Sequence, residues 1–237
     1  MTDCKTTHNC SNCPTRQTTE WRDLSESELT RLDEIKRSSL MEPGETIFFQ
    51  GDQADGIYCI QSGLVGLRYV DEYGNSALIR LCGKGTTIGY GALLSKEPYA
   101  TSAEILTPSA VCFLNRSTVS DMLAKNPNIG ERFLQHSIKD LSESEADYAR
   151  SLTQTVRLRF LHLMMIFYER LGYFNENGDP IVESPLLRRE IAELLGAQPE
   201  SISRVIRSLK DDGLLQFNGK QILYSDMNKI RQEVGIT

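Results

Sequence analysis

The chain has 237 residues, of which 40% are hydrophobic and 24% are charged, and its formal net charge is −6. This composition is typical of a globular protein with one or two hydrophobic cores. The negative total excludes a protein that binds nucleic acid through an all-round cationic surface, although a small basic face on one domain would suffice for DNA binding.

The chain contains neither a membrane-spanning pattern nor a secretory signal. Its apolar runs fall short of the ~18 residues that a spanning helix requires, and the first twenty residues are polar. We therefore expect a cytoplasmic protein without membrane contact. In that reducing compartment the six cysteines are thiols, metal ligands or redox sensors rather than disulfides.

A Cys-rich tail is predicted over residues 1–20. Cys4, Cys10 and Cys13 follow the pattern C-x5-C-x2-C, with His8 between the first two. Together with His8 these cysteines would supply four ligands for a tetrahedral zinc ion. A thiol switch is a further interpretation, in which Cys10 and Cys13 would pair with Cys112 on oxidation. A tail that merely carries cysteines is another.

A first helix is predicted over about residues 25–37. Ser25 and Glu28 have the spacing of a capping box, in which each side chain accepts a hydrogen bond from the other residue's backbone N–H. Apolar side chains then follow at helical spacing: Leu24, Leu29, Leu32 and Ile35.

A β domain is predicted to occupy most of residues 21–126. Between Met41 and Asn115 short runs rich in Ile, Val, Phe and Tyr alternate with turn pairs such as Pro43-Gly44 and Asp55-Gly56. This regular spacing predicts a sandwich or barrel of about eight strands.

A long amphipathic helix is predicted over residues 127–155. Its apolar side chains recur at threes, fours and sevens: Ile129, Phe133, Leu134, Ile138, Leu141, Tyr148 and Leu152. Sustained heptad-like spacing favours pairing with the same helix of a second copy, with packing on its own domain as the alternative. Glu143, Glu145 and Asp147 would repel their copies across such a parallel seam.

The region 156–237 has the pattern of a winged helix-turn-helix. Ser184-Pro185 predicts the start of one helix, and Pro199 predicts the start of a second helix after the short turn Gly196-Ala197-Gln198. Asn218-Gly219 predicts a two-residue hairpin turn, which would form the wing.

The second helix has an outward polar set near its N-terminus: Glu200, Ser203, Arg204 and Arg207. Arginine can bridge guanine O6 and N7, glutamate can accept from cytosine N4, and serine can bond a base or a phosphate. We therefore predict that these four residues contact double-stranded DNA.

The charge around this set is nearly balanced. Between Pro185 and Lys220 there are six basic and five acidic residues. We expect modest nonspecific affinity for DNA unless a dimer doubles the contacts.

With these elements in order, the sequence resembles the CRP/FNR family of bacterial transcription regulators, and within it the FNR-like branch. The resemblance runs from about Leu24 onwards and includes the recognition motif E-x-x-S-R at Glu200, Ser203 and Arg204. Its β-domain motifs are Pro43-Gly44-Glu45, Gly51-Asp52, Asp55-Gly56-Ile57-Tyr58, Ile60 and Ser62-Gly63.

The resemblance implies an α+β fold with three parts: an N-terminal β-roll sensor domain like those that bind cyclic nucleotides, a long dimerisation helix and a C-terminal winged helix-turn-helix. It also implies a homodimer on a two-fold symmetric operator with half-sites such as TTGAT or TGTGA. RNA polymerase is a further expected partner.

The resemblance gives Cys112 a role, because it lies where iron–sulfur FNR proteins have a distant cysteine. With Cys4, Cys10 and Cys13 it would complete the four thiolates of a [4Fe–4S] cluster that oxygen destroys. We predict this cofactor as a sensor of oxygen or nitric oxide, although the two tail gaps are reversed relative to the family order. Zinc and a thiol switch remain as alternatives.

The cassette that binds a cyclic phosphate in this family is incomplete here. Gly89-Tyr90-Gly91-Ala92 lacks the family glutamate, and Ala100-Thr101 lacks the arginine that would offset desolvation of the phosphate. We therefore expect no cyclic nucleotide. A different small organic effector in the β domain is the alternative. Four residues would line its site: Tyr90, Leu93, Leu94 and Tyr99.

The remaining candidate ligands are assigned structural roles. Cys59 and Cys82 are predicted to be buried thiols, and His136 and His162 to be packing or surface residues. A metal oxygenase built on the β domain would need histidine ligands. Residues 41–115 contain no histidine, so we predict that the protein is not an enzyme.

Overall fold

The computed structural model describes residues 9–235. They form two compact units, one that ends at Glu143 and one that begins at Ser144. Each unit combines helices with antiparallel sheet, which confirms the predicted α+β class. The predicted ligands Cys4 and His8 lie outside the described residues.

The first unit begins with two short 3-10 turns, Cys10–Asn12 and Arg16–Thr18, and helix α1, Glu26–Ile35. The predicted capping box is present. The Ser25 backbone N–H donates to Glu28 Oε2 at 2.8 Å, and the Glu28 backbone N–H donates to Ser25 Oγ at 3.4 Å. The helix is slightly shorter than predicted because Arg37 already pairs with Phe113 as the first strand residue.

Eight strands follow, as predicted. They are β1 Arg37–Met41, β2 Thr46–Phe48, β3 Gly56–Ser62, β4 Leu64–Val70, β5 Ser76–Gly83, β6 Thr87–Ile88, β7 Ser102–Ile105 and β8 Ser109–Asn115, with helix α2, Tyr90–Ser95, after β6. Two antiparallel four-stranded sheets result, in the orders β1-β8-β3-β6 and β2-β7-β4-β5. One hydrophobic cluster takes buried side chains from both sheets.

The predicted effector-lining residues are mostly part of this core. Tyr90, Leu93 and Tyr99 belong to the buried cluster, whereas Leu94 is 45% exposed. The Tyr99 ring stacks on Phe48 with a centroid distance of 3.9 Å, and its hydroxyl donates to the Gly56 carbonyl at 2.9 Å. Tyr90 and Tyr99 therefore pack as core residues of the first unit.

Three helices follow the strands: α3, Arg116–Lys125, α4, Pro127–Thr153, and α5, Val156–Leu171. The predicted long helix is α4, which begins in the first unit and ends in the second. It stops at Thr153 because the Thr155 side chain caps the next helix by accepting from the Leu158 backbone N–H at 3.3 Å.

The second unit holds a four-stranded antiparallel sheet and the helix-turn-helix. Its strands are β9 Tyr173–Phe174, β10 Pro180–Glu183, β11 Leu215–Asn218 and β12 Gln221–Tyr224, in the order β11-β12-β10-β9, and its later helices are α6 Arg188–Leu194, α7 Pro199–Asp211 and α8 Met227–Val234. The Tyr224 hydroxyl donates to the Met164 carbonyl at 2.6 Å, which fixes the hairpin to α5.

The predicted start of the first DNA-binding-domain helix at Ser184-Pro185 is wrong. The Ser184 backbone N–H donates to the Lys220 carbonyl at 2.7 Å and its hydroxyl donates to the Leu186 carbonyl at 2.8 Å, so this segment is held against the hairpin. Helix α6 begins only at Arg188, after the Leu187 backbone N–H has donated to the Glu190 carboxylate at 2.8 Å.

The hairpin turn is also displaced from its predicted position by one residue. Asn218 still pairs with Gln221, so the two loop residues are Gly219 and Lys220. Gly219 has a φ of +62°, which a glycine adopts without the penalty that a side chain would bring.

The helices among residues 9–235 include none with the length and apolarity needed to cross a bilayer.

Candidate functional site

Four cysteine side chains line one small cavity in the first unit. The cavity has a volume of about 40 Å³ and lies between the N-terminal turns, α1 and the sheet that contains β3 and β8. Its lining includes Cys10, Cys13, Cys59 and Cys112. Because that volume suits a few water molecules at most, a larger group requires one wall to move.

Two of these cysteines are cross-strand neighbours. Cys59 on β3 lies directly opposite Cys112 on β8 in the antiparallel register, so both side chains leave the sheet on the same face. Cys82 is buried on β5 of the other sheet, as predicted. The prediction of a purely structural role missed the position of Cys59 at this cavity.

The other two cysteines lie on the N-terminal turn, which α1 anchors. The Cys10 backbone N–H donates to Asp33 Oδ1 at 2.5 Å, and the same carboxylate oxygen lies 2.8 Å from Lys36 Nζ. Cys13 Sγ lies 3.0 Å from Thr15 Oγ1. The structure therefore brings Cys10, Cys13 and Cys112, three of the four predicted ligands, to the lining of one cavity.

Burial favours the neutral form of three thiols at this cavity, Cys10, Cys59 and Cys112. Burial raises the pKa of Cys10 to about 12, against a smaller lowering by the Lys36 ammonium. Burial also raises the pKa values of Cys59 and Cys112. Neutral buried thiols are poor nucleophiles, so the cavity as it stands is poorly suited to thiol–disulfide exchange.

The cysteines converge without forming a finished metal site. Across residues 9–235, no group of three or more His, Cys, Asp or Glu side chains is close enough to hold a metal ion. The donor set nevertheless suits a thiolate-bound metal, since soft sulfur ligands share one largely apolar wall. Binding would bring the sulfurs closer together and release their protons.

The wall of the cavity is connected to helix α4 through Glu20 and Trp21. The Trp21 ring lines the cavity and packs edge-on against Phe133 of α4, with a centroid distance of 5.7 Å. Glu20 is only 2% exposed, accepts from Thr87 Oγ1 at 2.7 Å and forms an ion pair with His136 Nδ1 on α4. A glutamate in a polar segment is normally expected to be exposed, so the sequence did not indicate that Glu20 is buried.

The polar network continues along α4. Asp140 accepts from the Tyr90 hydroxyl at 2.8 Å and from Arg80 Nη1 at 2.9 Å, and its carboxylate lies 3.8 Å from His136 Nε2. The hydrogen bond to Glu20 raises the pKa of His136, against an opposing effect of burial. His136 thus connects Glu20 of the tail to helix α4. This is a more specific role than the surface or packing position predicted for it.

Helix α7 presents the predicted DNA-contacting set to solvent. Glu200, Ser203, Arg204 and Arg207 are exposed, whereas the opposite face of the helix is buried through Ile202, Ile206 and Leu209. The Ser203 hydroxyl donates to the Pro199 carbonyl at 3.1 Å, which leaves its oxygen lone pairs available. The set therefore has the exposure that groove contact requires.

Helix α4 carries an exposed apolar stripe. Ile129 and Phe133 are buried in the first unit. The later stripe residues are 57 to 69% exposed: Leu134, Ile138, Leu141, Tyr148 and Leu152. Such a contiguous apolar surface marks an interaction site.

Comparison with known proteins gives two family matches. A model described as "Cyclic nucleotide-binding domain" matches residues 40–126, and one described as "Crp-like helix-turn-helix domain" matches residues 158–233. The chain belongs to the CRP/FNR family of transcription regulators. It is therefore a DNA-binding regulator and not an enzyme.

Its FNR-named relatives match nearly the whole chain. The transcriptional activator protein FnrL of Cereibacter sphaeroides is 25% identical over 232 residues, which cover 96% of this chain and 92% of FnrL. The fumarate and nitrate reduction regulatory protein of Escherichia coli K12 is 26% identical over 231 residues, with coverages of 96% and 91%. A CRP-like cAMP-activated regulator of Mycobacterium tuberculosis matches 79% of this chain and 83% of its own length at 25% identity.

Solved structures share the CRP/FNR fold. A CRP/FNR-family transcriptional regulator of Thermus thermophilus, TTHA1359, has a TM-score of 0.72 at 23% identity, covering 84% of this chain and 98% of its own. FixK2 of Bradyrhizobium japonicum has a TM-score of 0.71 at 19% identity, with coverages of 84% and 96%. CRP/FNR regulators bind DNA and act as dimers. An exposed apolar stripe on α4 is consistent with such an interface.

Proposed function

We propose that this CRP/FNR regulator is a homodimer that binds a two-fold symmetric DNA site and responds to oxygen, nitric oxide or redox state through a [4Fe–4S] cluster. Cys10, Cys13 and Cys112 would hold the cluster with a fourth cysteine, for which the tail pattern predicts Cys4. The observation that carries this proposal is the convergence of Cys10, Cys13 and Cys112 on one cavity.

Such a cluster supplies an oxygen-labile, redox-active centre when it is bound. The chain's own cysteines would provide the four thiolates on binding, and the apolar side chains of Trp21, Leu32 and Leu114 line the same cavity. Trp21 and Glu20 then offer a route from the cavity to α4, through Phe133 and His136.

We further propose that residues 1–20 and 21–126 form the sensor part, that residues 127–155 pair with a second copy, and that residues 156–237 bind DNA. The exposed stripe on α4 supports the pairing. The exposed set Glu200, Ser203, Arg204 and Arg207 supports contact with base edges. RNA polymerase is the expected partner of the bound dimer.

A single zinc ion is the second candidate ligand. The cavity volume of about 40 Å³ favours it, because one tetrahedral ion needs less space than a four-iron cluster. A zinc site would hold the tail in place without redox chemistry.

The test is to purify the protein without oxygen and to measure iron, sulfide and zinc per chain, the visible spectrum, and affinity for symmetric TTGAT or TGTGA duplexes under nitrogen and in air. We expect about four iron and four sulfide per chain, a visible band that bleaches in air, and a parallel change in DNA affinity. Colourless protein with about one zinc would overturn the iron assignment, and DNA affinity indifferent to air would overturn the sensing role.

Two variants separate the two halves of the proposal. Cys112→Ser should lose the iron, and its DNA affinity under nitrogen should already equal that of the air-exposed parent. Arg204→Ala should keep the iron and lose specific DNA affinity.

A further inference from the structure

We propose that Cys59 is the fourth cysteine of the cluster site, which then consists of Cys10, Cys13, Cys59 and Cys112. This inference rests on the proposed function and names the ligand that the tail pattern assigns to Cys4.

The position of Cys59 is the first argument. It lies opposite Cys112 in the pairing of β3 with β8, and cross-strand neighbours have Cβ atoms about 4.5–5.5 Å apart. The same cavity wall includes Cys10 and Cys13. Four thiols therefore surround one space within residues 9–235.

The hydrogen bonding of Cys59 is the second argument. Trp21 Nε1 donates to Cys59 Sγ at 3.3 Å. An indole N–H can only donate, so the cysteine sulfur is the acceptor, as it would be when ligating. Hydrogen bonds to ligating sulfurs are among the features that set the potential of a cluster.

The two pairs of cysteines differ in how firmly they are held. Strand pairing fixes Cys59 and Cys112, whereas Cys10 and Cys13 lie at the two ends of a short turn, held by the contact of Cys10 with Asp33. Because the cavity is small, loading would displace this turn relative to the sheet. Hydrogen exchange of the turn should therefore differ between loaded and metal-free protein.

The decisive experiment compares five variants of the full chain, prepared without oxygen: Cys4→Ser, Cys10→Ser, Cys59→Ser, Cys82→Ser and Cys112→Ser. Iron and sulfide content and the visible spectrum are measured for each. We expect Cys59→Ser to lose the cluster as Cys10→Ser and Cys112→Ser do, whereas Cys4→Ser retains about four iron per chain. Loss of iron from Cys4→Ser with full retention in Cys59→Ser would overturn the inference.

Cys82→Ser is the matched control for folding. Cys82 is a strand cysteine like Cys59, although it is fully buried in the other sheet whereas Cys59 is half-buried, so the Cys82→Ser variant should keep the cluster. Equal thermal melting of the two variants in their metal-free forms would show that iron loss does not come from unfolding, because a bound cluster would itself stabilise Cys82→Ser. Should Cys59→Ser not fold, Cys4→Ser decides: retained iron supports Cys59, and lost iron refutes it.

A cobalt titration distinguishes failure of this inference from failure of the proposed function. If the parent protein holds no iron, the proposed function fails. The ligand set can still be tested alone, by adding Co²⁺ and measuring the thiolate-to-Co²⁺ charge-transfer absorbance per chain. Absorbance unchanged in Cys4→Ser and reduced by about a quarter in Cys59→Ser, one thiolate in four, supports the inference. The reverse pattern, or no cobalt binding by the parent, overturns it.

Discussion

Glu20 and His136 form an ion pair in which the carboxylate is almost completely buried. Glu20 also accepts from Thr87, while His136 has the Asp140 carboxylate near its other ring nitrogen and lies close enough to Arg80 to be affected by its charge. A carboxylate so enclosed requires such partners, because an unpaired buried charge would be strongly destabilising.

The first residue-scale prediction concerns pH. The pKa of His136 is raised, first by its hydrogen bond to Glu20, so the folded chain binds this proton more tightly than the unfolded chain does. The stabilisation that results from this tighter proton binding is fully present below the unfolded pKa of about 6.5, and it is lost as pH rises through the higher folded pKa. We expect the free energy of unfolding of the first unit to contain a contribution that falls above about pH 6.5, and His136→Gln to abolish it.

Urea unfolding at a series of pH values checks this prediction. His162→Gln is the control, because His162 lies in the second unit and burial lowers its pKa, so this variant should leave the pH profile of the first unit unchanged. A parent and a His136→Gln variant with the same pH profile would contradict the assignment.

The second residue-scale prediction concerns Arg204. If it bridges a guanine, Arg204→Ala should weaken specific binding by about 1–3 kcal/mol and relax the preference at one base position. Lys210→Ala, an exposed cation at the other end of α7, should weaken specific and random duplexes alike. Fluorescence anisotropy on both duplexes measures this, and equal losses for Arg204→Ala on both would refute base contact.

At the scale of elements, the α4 stripe has a regular spacing that includes one charge. Steps of four, three, four, three and four residues connect Leu134, Ile138, Leu141, Glu145, Tyr148 and Leu152. Glu145 therefore occupies a seam position, whereas Glu143 lies off the stripe with its carboxylate 3.8 Å from Lys139 Nζ. Of the three acidic residues considered from the sequence, Glu145 is the one expected to face its copy.

Removing this charge should strengthen the dimer. Like charges across an interface cost several kcal/mol, so we expect Glu145→Ala to tighten dimerisation by at least about tenfold and to bind DNA in air. Glu143→Ala should behave as the parent does. Sedimentation measures the dimer, and a Glu145→Ala variant as oxygen-dependent as the parent would exclude this role.

Local signals predicted elements better than they predicted sites. The capping box at Ser25 and Glu28 and the helix start at Pro199 depend on neighbouring residues, and both are confirmed. The helix start predicted at Ser184-Pro185 was wrong because a hydrogen bond from Ser184 to Lys220, which is distant in sequence, fixes the conformation there. The roles of Cys59 and Glu20 could not be predicted from neighbouring residues for the same reason. The register of two strands places Cys59 opposite Cys112, and a helix more than a hundred residues later places His136 beside Glu20.

At the scale of the whole molecule, charge limits how DNA can be bound. The net charge of −6 and the near-balance around α7 provide little sequence-independent attraction. Under the proposed function, affinity would therefore come from specific contacts made twice, once by each copy.

The corresponding prediction compares a full symmetric duplex with one of equal length in which one half-site is scrambled. We expect affinity to fall on the order of a thousandfold, the lower end of the usual gap between specific and nonspecific binding. Anisotropy titrations at fixed salt measure it. Unchanged affinity would mean that a single copy suffices.

The segment Thr19 to Trp21 touches the cysteine cavity on one side and, through Glu20 and Trp21, helix α4 on the other. Coupling between two binding events is reciprocal: if a bound cluster favours pairing of two copies, pairing must favour retention of the cluster by the same factor. At equilibrium, a dilute regulator would then retain its cluster less tightly than a concentrated one. The oxygen level at which a cell responds would thus depend on how many copies of the regulator it contains.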